Sequence, residues 1–243
     1  MIVADIKPFK EIMRLVKNYR KICVIGCGTC VTVCHAGGQK QVSEVAAQLR
    51  LAAKLEKKHL EVGEETILRQ CEHEFIDSLE GLVQKYDAIV SLGCGIGVQM
   101  LAERFPHTRI LPGLNTKFMG APTEPGIFWE RCVGCGNCIL AETGGFCPVT
   151  RCAKGLLNGP CGGSQNGLCE VSPDTPCVWQ LIYEQLEAQG MLDTMEAITP
   201  PKDWSVGQGG CGPRRLVLEH LVEEEKDKHK IAEKVLTRND CKK

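Results

Sequence analysis

The stretch KICVIGCGTCVTVCHAGG, residues 21–38, places a short apolar run directly before a loop rich in glycine and cysteine. The run, residues 21–26, has the β-branched and apolar composition of a buried strand. Residues 41–58 follow with apolar side chains on one helical face. The sequence therefore predicts a strand, a loop and a helix, with thiols where a nucleotide-binding fold would place glycines.

The same pattern recurs along the first half of the chain. Residues 63–71 predict a second strand, residues 72–86 a helix, residues 87–92 a third strand and residues 109–115 a fourth. A helix with one apolar face is expected over residues 8–19, before the first strand. Alternating elements of these lengths predict an α/β fold, a small doubly wound domain with a mostly parallel sheet.

The composition changes after this α/β region. Gly, Pro and Cys dominate from residue 131 to 177, and helical patterns follow at 178–193 and 214–236. A segment so poor in apolar side chains is not held together by burial, and small metallo-domains use ligand bonds instead. Three parts are predicted: an α/β domain with a cysteine-ligated cluster (1–125), a Cys-rich iron–sulfur or zinc domain with a following helix (126–213), and a charged C-terminal helix (214–243).

Charge and cysteine content limit the classes of function. The chain has 29 basic and 30 acidic side chains, a balance that favours neither nucleic acid nor a polyanion as partner. The first twenty residues lack the apolar region of a signal peptide, and no stretch is apolar enough to cross a bilayer, so we expect a soluble, cytoplasmic protein. Thiols stay reduced in the cytosol, and 16 cysteines then favour metal or cluster binding over disulfides.

A first group of cysteines follows the predicted strands. Cys27, Cys30 and Cys34 come after the first strand, Cys71 ends the second, and Cys94 comes after the third. Because the carboxyl ends of parallel strands meet at one edge, we expect these thiols to converge there. The spacing C-x2-C-x3-C, completed by one more thiolate, predicts a [4Fe-4S] cluster. Cys94, flanked by glycines in a turn, is preferred to Cys71 as the fourth ligand.

Dinucleotide binding is the competing interpretation of these loops. GCGTCV (26–31) and GCGIGV (93–98) each begin like the G-x-G-x-x-G fingerprint, but neither has the third glycine in register. Glycines also allow backbone N–H groups to approach cluster sulfurs, which raises the reduction potential. Cys23 lies within the strand itself and is expected to be a buried, inert thiol.

A second group of cysteines occupies the loop-rich region. Cys132, Cys135 and Cys138 are spaced C-x2-C-x2-C, and Cys147 precedes Pro148 as in the bacterial ferredoxin run, although eight residues rather than three separate Cys138 from Cys147. Structural zinc is the rival occupant, and eight thiols suffice for two four-thiolate sites. The other four members of this group are Cys152, Cys161, Cys169 and Cys177. Two further cysteines without neighbours at ligand spacing, Cys211 and Cys241, are expected to be free thiols.

Several motifs together resemble the MetV family, the small iron–sulfur subunits of the MetFV-type methylenetetrahydrofolate reductases of the Wood–Ljungdahl pathway in acetogenic bacteria. They are GCGTCVTVCHAGG, RQCE, SLGCGIGVQ, LPGLNT, RCVGCGNC, CPVTRCAKGLLNGPCGG and GLCEV, and KGLLNGPCGG at 154–163 is the most specific of them. The last is similar to a methylenetetrahydrofolate reductase C-terminal module with zinc and iron–sulfur character. The resemblance spans most of residues 20–215.

The resemblance implies an electron-transfer subunit that is not itself active on folate. Its partner would be a MetF-like TIM-barrel subunit carrying FMN, which reduces 5,10-methylenetetrahydrofolate to 5-methyltetrahydrofolate. Electrons would come from ferredoxin or another redox subunit and pass through two [4Fe-4S] clusters, with zinc as a possible further metal. Cys27, Cys30, Cys34 and Cys94 would hold one cluster, and members of the second group the other centre. Two alternatives stay open: a zinc-stabilised scaffold that docks the same flavoprotein, and a free-standing enzyme with its own nucleotide or flavin.

Overall fold

The computed structural model describes residues 1–207 and 213–223 of the 243-residue chain. The strands in chain order are β1 (Ile2–Ile6), β2 (Lys21–Cys27), β3 (Glu61–Ile67), β4 (Ala88–Leu92), β5 (Arg109–Pro112), β6 (Leu114–Glu124) and β7 (Ile127–Cys132). The helices are α1 (Phe9–Val16), α2 (Cys30–Val33), α3 (Gln39–Leu55), α4 (His73–Ile76), α5 (Glu80–Val83), α6 (Gly95–Arg104), α7 (Pro148–Arg151) and α8 (Val178–Gln189).

Four of the strands form a parallel sheet with the order β3–β2–β4–β5. The chain goes from β2 to β3 on one side and then crosses to β4 on the other. The direction of winding therefore reverses beside β2, where open α/β sheets bind their ligands. The prediction of a parallel α/β sheet built on residues 21–26 is confirmed.

Strand β2 is buried on both faces, which explains why its sequence is a continuous apolar run. Ile22 and Val24 pack into a cluster with α1 and α3, whereas Cys23 and Ile25 pack into a cluster on the opposite side, with α4 and α6. Successive side chains of a strand point to opposite faces, so helices must cover both faces of a sheet with this pattern.

A second sheet is antiparallel and has the order β1–β6–β7. The sequence interpretation did not include β1, and it assigned residues 109–115 to one strand. The structure ends β5 at Pro112 and begins β6 at Leu114, so that segment contributes to two sheets. The predicted strand 63–71 is also too long, because β3 ends at Ile67.

Three predicted helices differ from the structure. Residues 72–86 form two short helices, α4 and α5, joined by a 3-10 turn at Asp77–Leu79, rather than one helix. Helix α8 ends at Gln189, where Gly190 adopts a left-handed conformation with φ 66°. Residues 214–218 are not helical, contrary to prediction, although 219–223 are, and the remainder of that predicted helix lies outside the described residues.

The chain divides into two compact units. The first comprises Met1–Val133 and Ile139–Thr199, and the second comprises Gly134–Cys138 with residues from Pro200 onward. Within the second unit, Arg214 donates to the carbonyl of Gly134 at 2.5 Å, and Lys202 donates to the carbonyl of Asn137.

Candidate functional site

The first cysteine group lies at the carboxyl edge of the parallel sheet. Cys27 is the last residue of β2, Cys94 is the N-cap of α6 two residues after β4, and Cys71 follows β3 by four residues. Since β3, β2 and β4 are adjacent and parallel, the loops that follow them share one edge. The position at which these thiols gather is the one at which doubly wound folds bind cofactors.

Cys30 and Cys34 lie on the loop that leaves β2. Cys30 begins the one-turn helix α2, and Cys34 ends it. The Thr32 hydroxyl donates to the carbonyl of Cys27 at 2.7 Å, and the Cys27 N–H donates to the carbonyl of Gly37 at 2.9 Å. These bonds close residues 27–37 into a compact loop that carries three thiols.

The thiols are close enough to affect one another electrostatically. Burial raises the pKa of the Cys71 thiol, and the negative charges of Cys27 and Cys94 raise it further. The ion pair with Glu72, at 2.5 Å, raises the pKa of Arg69, and the charges of Cys71 and Cys30 add to that effect. Because crowded thiolates repel each other, a bound centre with positively charged iron would favour their ionised form.

A single metal ion and a cluster require different spacings of their ligands. Among residues 1–207 and 213–223, no group of three or more His, Cys, Asp or Glu side chains is arranged to hold one metal ion. A four-iron cubane takes each thiolate on a different iron, so its ligands stand farther apart than those of one ion. Cys71 feels the charges of both Cys27 and Cys94, and thiols gathered in this way at one sheet edge fit that chemistry.

A buried group of hydrogen bonds made by Gln70 and Ser91, called here the Gln70 bracket, supports this edge. The Gln70 side chain, 1% exposed, donates from Nε2 to the carbonyl of Ile25 at 2.9 Å and accepts from the Ser91 hydroxyl at 2.5 Å. The Ser91 hydroxyl in turn accepts from the N–H of Gly93 at 3.1 Å. The bracket therefore ties the loop that carries Cys71 to β2, β4 and the turn before Cys94.

The glycines of these loops serve packing. A Cβ at Gly93 would lie 2.3 Å from the Gln70 Oε1, and one at Gly97 would lie 2.8 Å from the Gln70 Cβ. The N–H groups of Gly28, Gly93 and Gly95 donate to Ile67, Ser91 and Thr116 respectively. The sequence suggested that glycine N–H groups approach cluster sulfurs, but these three N–H groups donate to protein oxygens instead. They are not directed at a pyrophosphate either.

Cys23 is separate from the group. Its side chain is fully buried in β2, on the face opposite to Ile22 and Val24. Burial, and secondarily the charges of Glu65 and Glu64, raise the pKa of this thiol to about 12. The expectation of a buried thiol is confirmed, and at neutral pH Cys23 stays protonated and a poor ligand.

The second group is distributed over both units. Cys132 ends β7, Cys147 is the N-cap of α7 with Pro148 at its first position, and Cys152 follows α7; all three belong to the first unit. Cys135 and Cys138 belong to the second unit, where the Cys135 thiol donates to the carbonyl of Asn137 at 3.6 Å. Their assignment as ligands stays a prediction, and Cys211 and Cys241 lie outside the described residues.

The later cysteines surround the start of α8. Cys177, its N-cap, is buried in an apolar cluster with Trp179 and Leu186, and Cys152 packs against that cluster. Cys169 and Cys177 lie on a short hairpin, because the Cys169 N–H donates to Thr175 and the Cys177 N–H donates to Gly167. This arrangement brings three of the predicted ligands to one region of the loop-rich segment.

Cys161 has a different electrostatic environment. Its side chain is exposed, and its sulfur accepts from the N–H of Gly163 at 3.5 Å. That hydrogen bond lowers the pKa of the Cys161 thiol, and the ammonium of Lys154 lowers it further. A thiol that ionises readily is the better metal ligand and the better nucleophile.

Sequence reasoning located the thiols but missed the residues that orient them. Gln70, Ser91 and Thr116 belong to no cysteine-spacing motif, and their contacts join segments 21–45 positions apart in the chain. The signal in the sequence was weak: Gln70 immediately precedes Cys71, and Ser91 lies three residues before Cys94. Across the described ranges, no helix has both the length and the apolarity to cross a membrane.

Comparison with known proteins gives one match. Residues 111–205, about two fifths of the chain, match the family model described as "Methylene-tetrahydrofolate reductase C terminal". No curated protein and no solved structure matches the chain significantly. The matched region begins in β5 and includes β6, β7 and every cysteine from Cys132 to Cys177. This part of the chain is therefore related to the C-terminal region of methylene-tetrahydrofolate reductases.

Proposed function

We propose that this chain is an electron-transfer subunit of a methylenetetrahydrofolate reductase complex. The observation that carries the proposal is the gathering of Cys27, Cys71 and Cys94 at the carboxyl edge of the parallel sheet, in a chain whose residues 111–205 match the reductase family. The family name associates the chain with an oxidoreductase. A cluster held by the thiols at this edge would explain why such a chain accompanies a flavin enzyme.

The protein residues have defined tasks in this proposal. Cys27, Cys30 and Cys34 hold a [4Fe-4S] cluster from one loop, and Cys94 or Cys71 completes the ligand set. When bound, the cluster supplies one-electron redox chemistry. Arg69 and the Gln70 bracket fix the loop after β3, so the ligands are oriented before the cluster binds. The second cysteine group holds a further cluster or zinc.

The exposure of the ligands favours exchange of electrons with other proteins. Cys71 is exposed and Cys30, Cys34 and Cys94 are partly exposed, so a centre at this edge would lie close to the protein surface. A partner can then bring its own redox group near it. We propose that the acceptor is the FMN of a MetF-like TIM-barrel subunit and that the donor is ferredoxin or another redox subunit.

Reduction of the partner's flavin tests this function. The purified flavin subunit is mixed without oxygen with reduced ferredoxin, either alone or together with this chain, and the flavin absorbance is followed. We expect the flavin to be reduced rapidly only when the chain is present, and the Cys27→Ala variant to abolish the acceleration. If the chain binds the flavin subunit but leaves the rate unchanged, it is a scaffold and the proposal is wrong.

A further inference from the structure

A groove of about 430 Å³ lies in the first unit, beside the β6–β7 hairpin and α7. Its walls combine guanidinium groups, threonine hydroxyls and an indole ring. Those that matter here are Trp129 and Arg131 of β7, Thr150 and Arg151 of α7, and the two acidic residues Glu124 and Glu130. This composition differs from the apolar lining of an ordinary packing defect.

Two arginines face this groove from different elements. Arg151 is half-buried, and its guanidinium carbon lies 5.1 Å from the centre of the Phe146 ring. Arg131, which is also partly buried, lines the same groove from β7. Two guanidinium groups are therefore held near each other even though they repel.

Neither arginine has a carboxylate partner among the described residues. Glu124 and Glu130 also line the groove, but neither forms an ion pair with Arg131 or Arg151. Arg131 makes a long contact, 3.4 Å, to the carbonyl of Glu130. Two guanidinium groups that line one groove without a carboxylate partner offer a favourable position for a bound anion.

Other arginines of the same chain do have such partners. Arg50 pairs with Glu64 at 2.6 Å, and Arg104 pairs with Asp77 at 2.6 Å. Arg151 differs from these two in having no carboxylate partner although it is partly buried.

We propose that this groove binds a small-molecule oxyanion, held between the guanidinium groups of Arg131 and Arg151. Planar guanidinium groups bind phosphate and carboxylate oxygens through paired N–H donors. The Thr150 hydroxyl lies 3.5 Å from the Cys147 sulfur and lines the groove, and the Trp129 ring offers a flat surface to an attached organic group. A phosphate ester and a dicarboxylate share this chemistry.

The site is independent of the proposed electron-transfer role. Its residues are neighbours of Cys132 and Cys152 in the sequence, but the anion is held by guanidinium groups and not by thiols. Anion binding and metal content are measured separately, so failure of one proposal leaves the other standing.

Calorimetric titration of the full-length, metal-loaded chain tests the site. Inorganic phosphate and glutarate are titrated separately at constant ionic strength, with chloride as the blank. We expect one of the two to bind with a stoichiometry near one, and Arg131→Gln and Arg151→Gln each to weaken binding by about tenfold or more. The stronger ligand identifies whether the site prefers a phosphate or a carboxylate group.

A control variant outside the groove makes the result specific. Arg109→Gln removes an exposed arginine on β5, outside the groove, and should leave the affinity unchanged. Arg131→Gln alone decides the matter if Arg151→Gln fails to fold, because Arg131 is not packed on an aromatic ring. The proposal is overturned if neither anion binds, or if the groove variants and Arg109→Gln bind it equally well.

Discussion

Replacing Gln70 by leucine is expected to lower the free energy of unfolding by about 2–6 kcal/mol. The side chain is 1% exposed, and its amide forms bonds of 2.9 Å to the carbonyl of Ile25 and 2.5 Å to the Ser91 hydroxyl. Leucine has a similar volume but makes neither bond, so a buried carbonyl and a buried hydroxyl lose their partners. Each unsatisfied buried group costs about 1–3 kcal/mol, and two are created.

Thermal and urea unfolding measure this effect. For a chain of this length, about 2 kcal/mol lowers the melting temperature by at least about 4 °C. Gln48→Leu is the matched control, because Gln48 is exposed on α3 and the same substitution there removes no buried bond. The reasoning is refuted if the two variants unfold within about 1 °C of each other.

Four other substitutions test the packing at Gly37, the burial of Cys23 and the separation of the two metal centres. Gly37→Ala should cost about 1–3 kcal/mol, since its Cβ would lie 1.9 Å from the carbonyl oxygen of Leu92, whereas Gly81→Ala meets no atom within 4 Å and should stabilise by about 0.5–1 kcal/mol; equal melting temperatures would contradict this. The folded chain keeps the Cys23 proton up to about pH 12 while the unfolded chain releases it near pH 9, so the wild-type free energy of unfolding should fall by up to about 1.4 kcal/mol per pH unit between those values. Cys23→Ala should lack that decrease in urea unfolding at pH 8–10, and parallel curves would exclude it. Cys27→Ala should remove the iron of the first group and leave the metal of the second group bound, and loss of all metal would argue against separate centres.

The parallel sheet was predictable because its signals are local. Strand β2 is apolar at every interior position because both faces are covered, and β4 has the same character. Helix α3 shows its buried face directly in the spacing of Val42, Val45 and Leu49. The thiols of the first group follow these strands in the sequence, so their common edge could be inferred from the topology alone.

The antiparallel sheet was not predictable in the same way. Strand β1 pairs with β6 across more than 100 residues, and a pairing at that distance leaves no local pattern. The register of β6 with β7 shifts beside Gly120, where a Cβ would lie 2.1 Å from the carbonyl oxygen of Trp129. Such a shift interrupts the strict alternation by which a half-buried strand is recognised.

The broken helix over residues 72–86 has a different explanation. The residues have helical periodicity, and Ile76, Leu79 and Val83 are all buried. Asp77 and Gly81 have weak helical propensity, and a 3-10 turn between them separates α4 from α5. Periodicity identified the buried face correctly, but it could not determine whether the backbone remains continuous.

Metal analysis of the chain purified without oxygen tests most directly whether the thiols at the sheet edge hold an iron–sulfur cluster. Iron and zinc are counted per polypeptide, and an electron paramagnetic resonance spectrum is recorded after reduction. We expect about eight iron atoms with signals from two reducible cubane clusters, or about four iron atoms together with zinc if the second group holds zinc. Zinc without iron would show that no cluster is present and would indicate a structural scaffold.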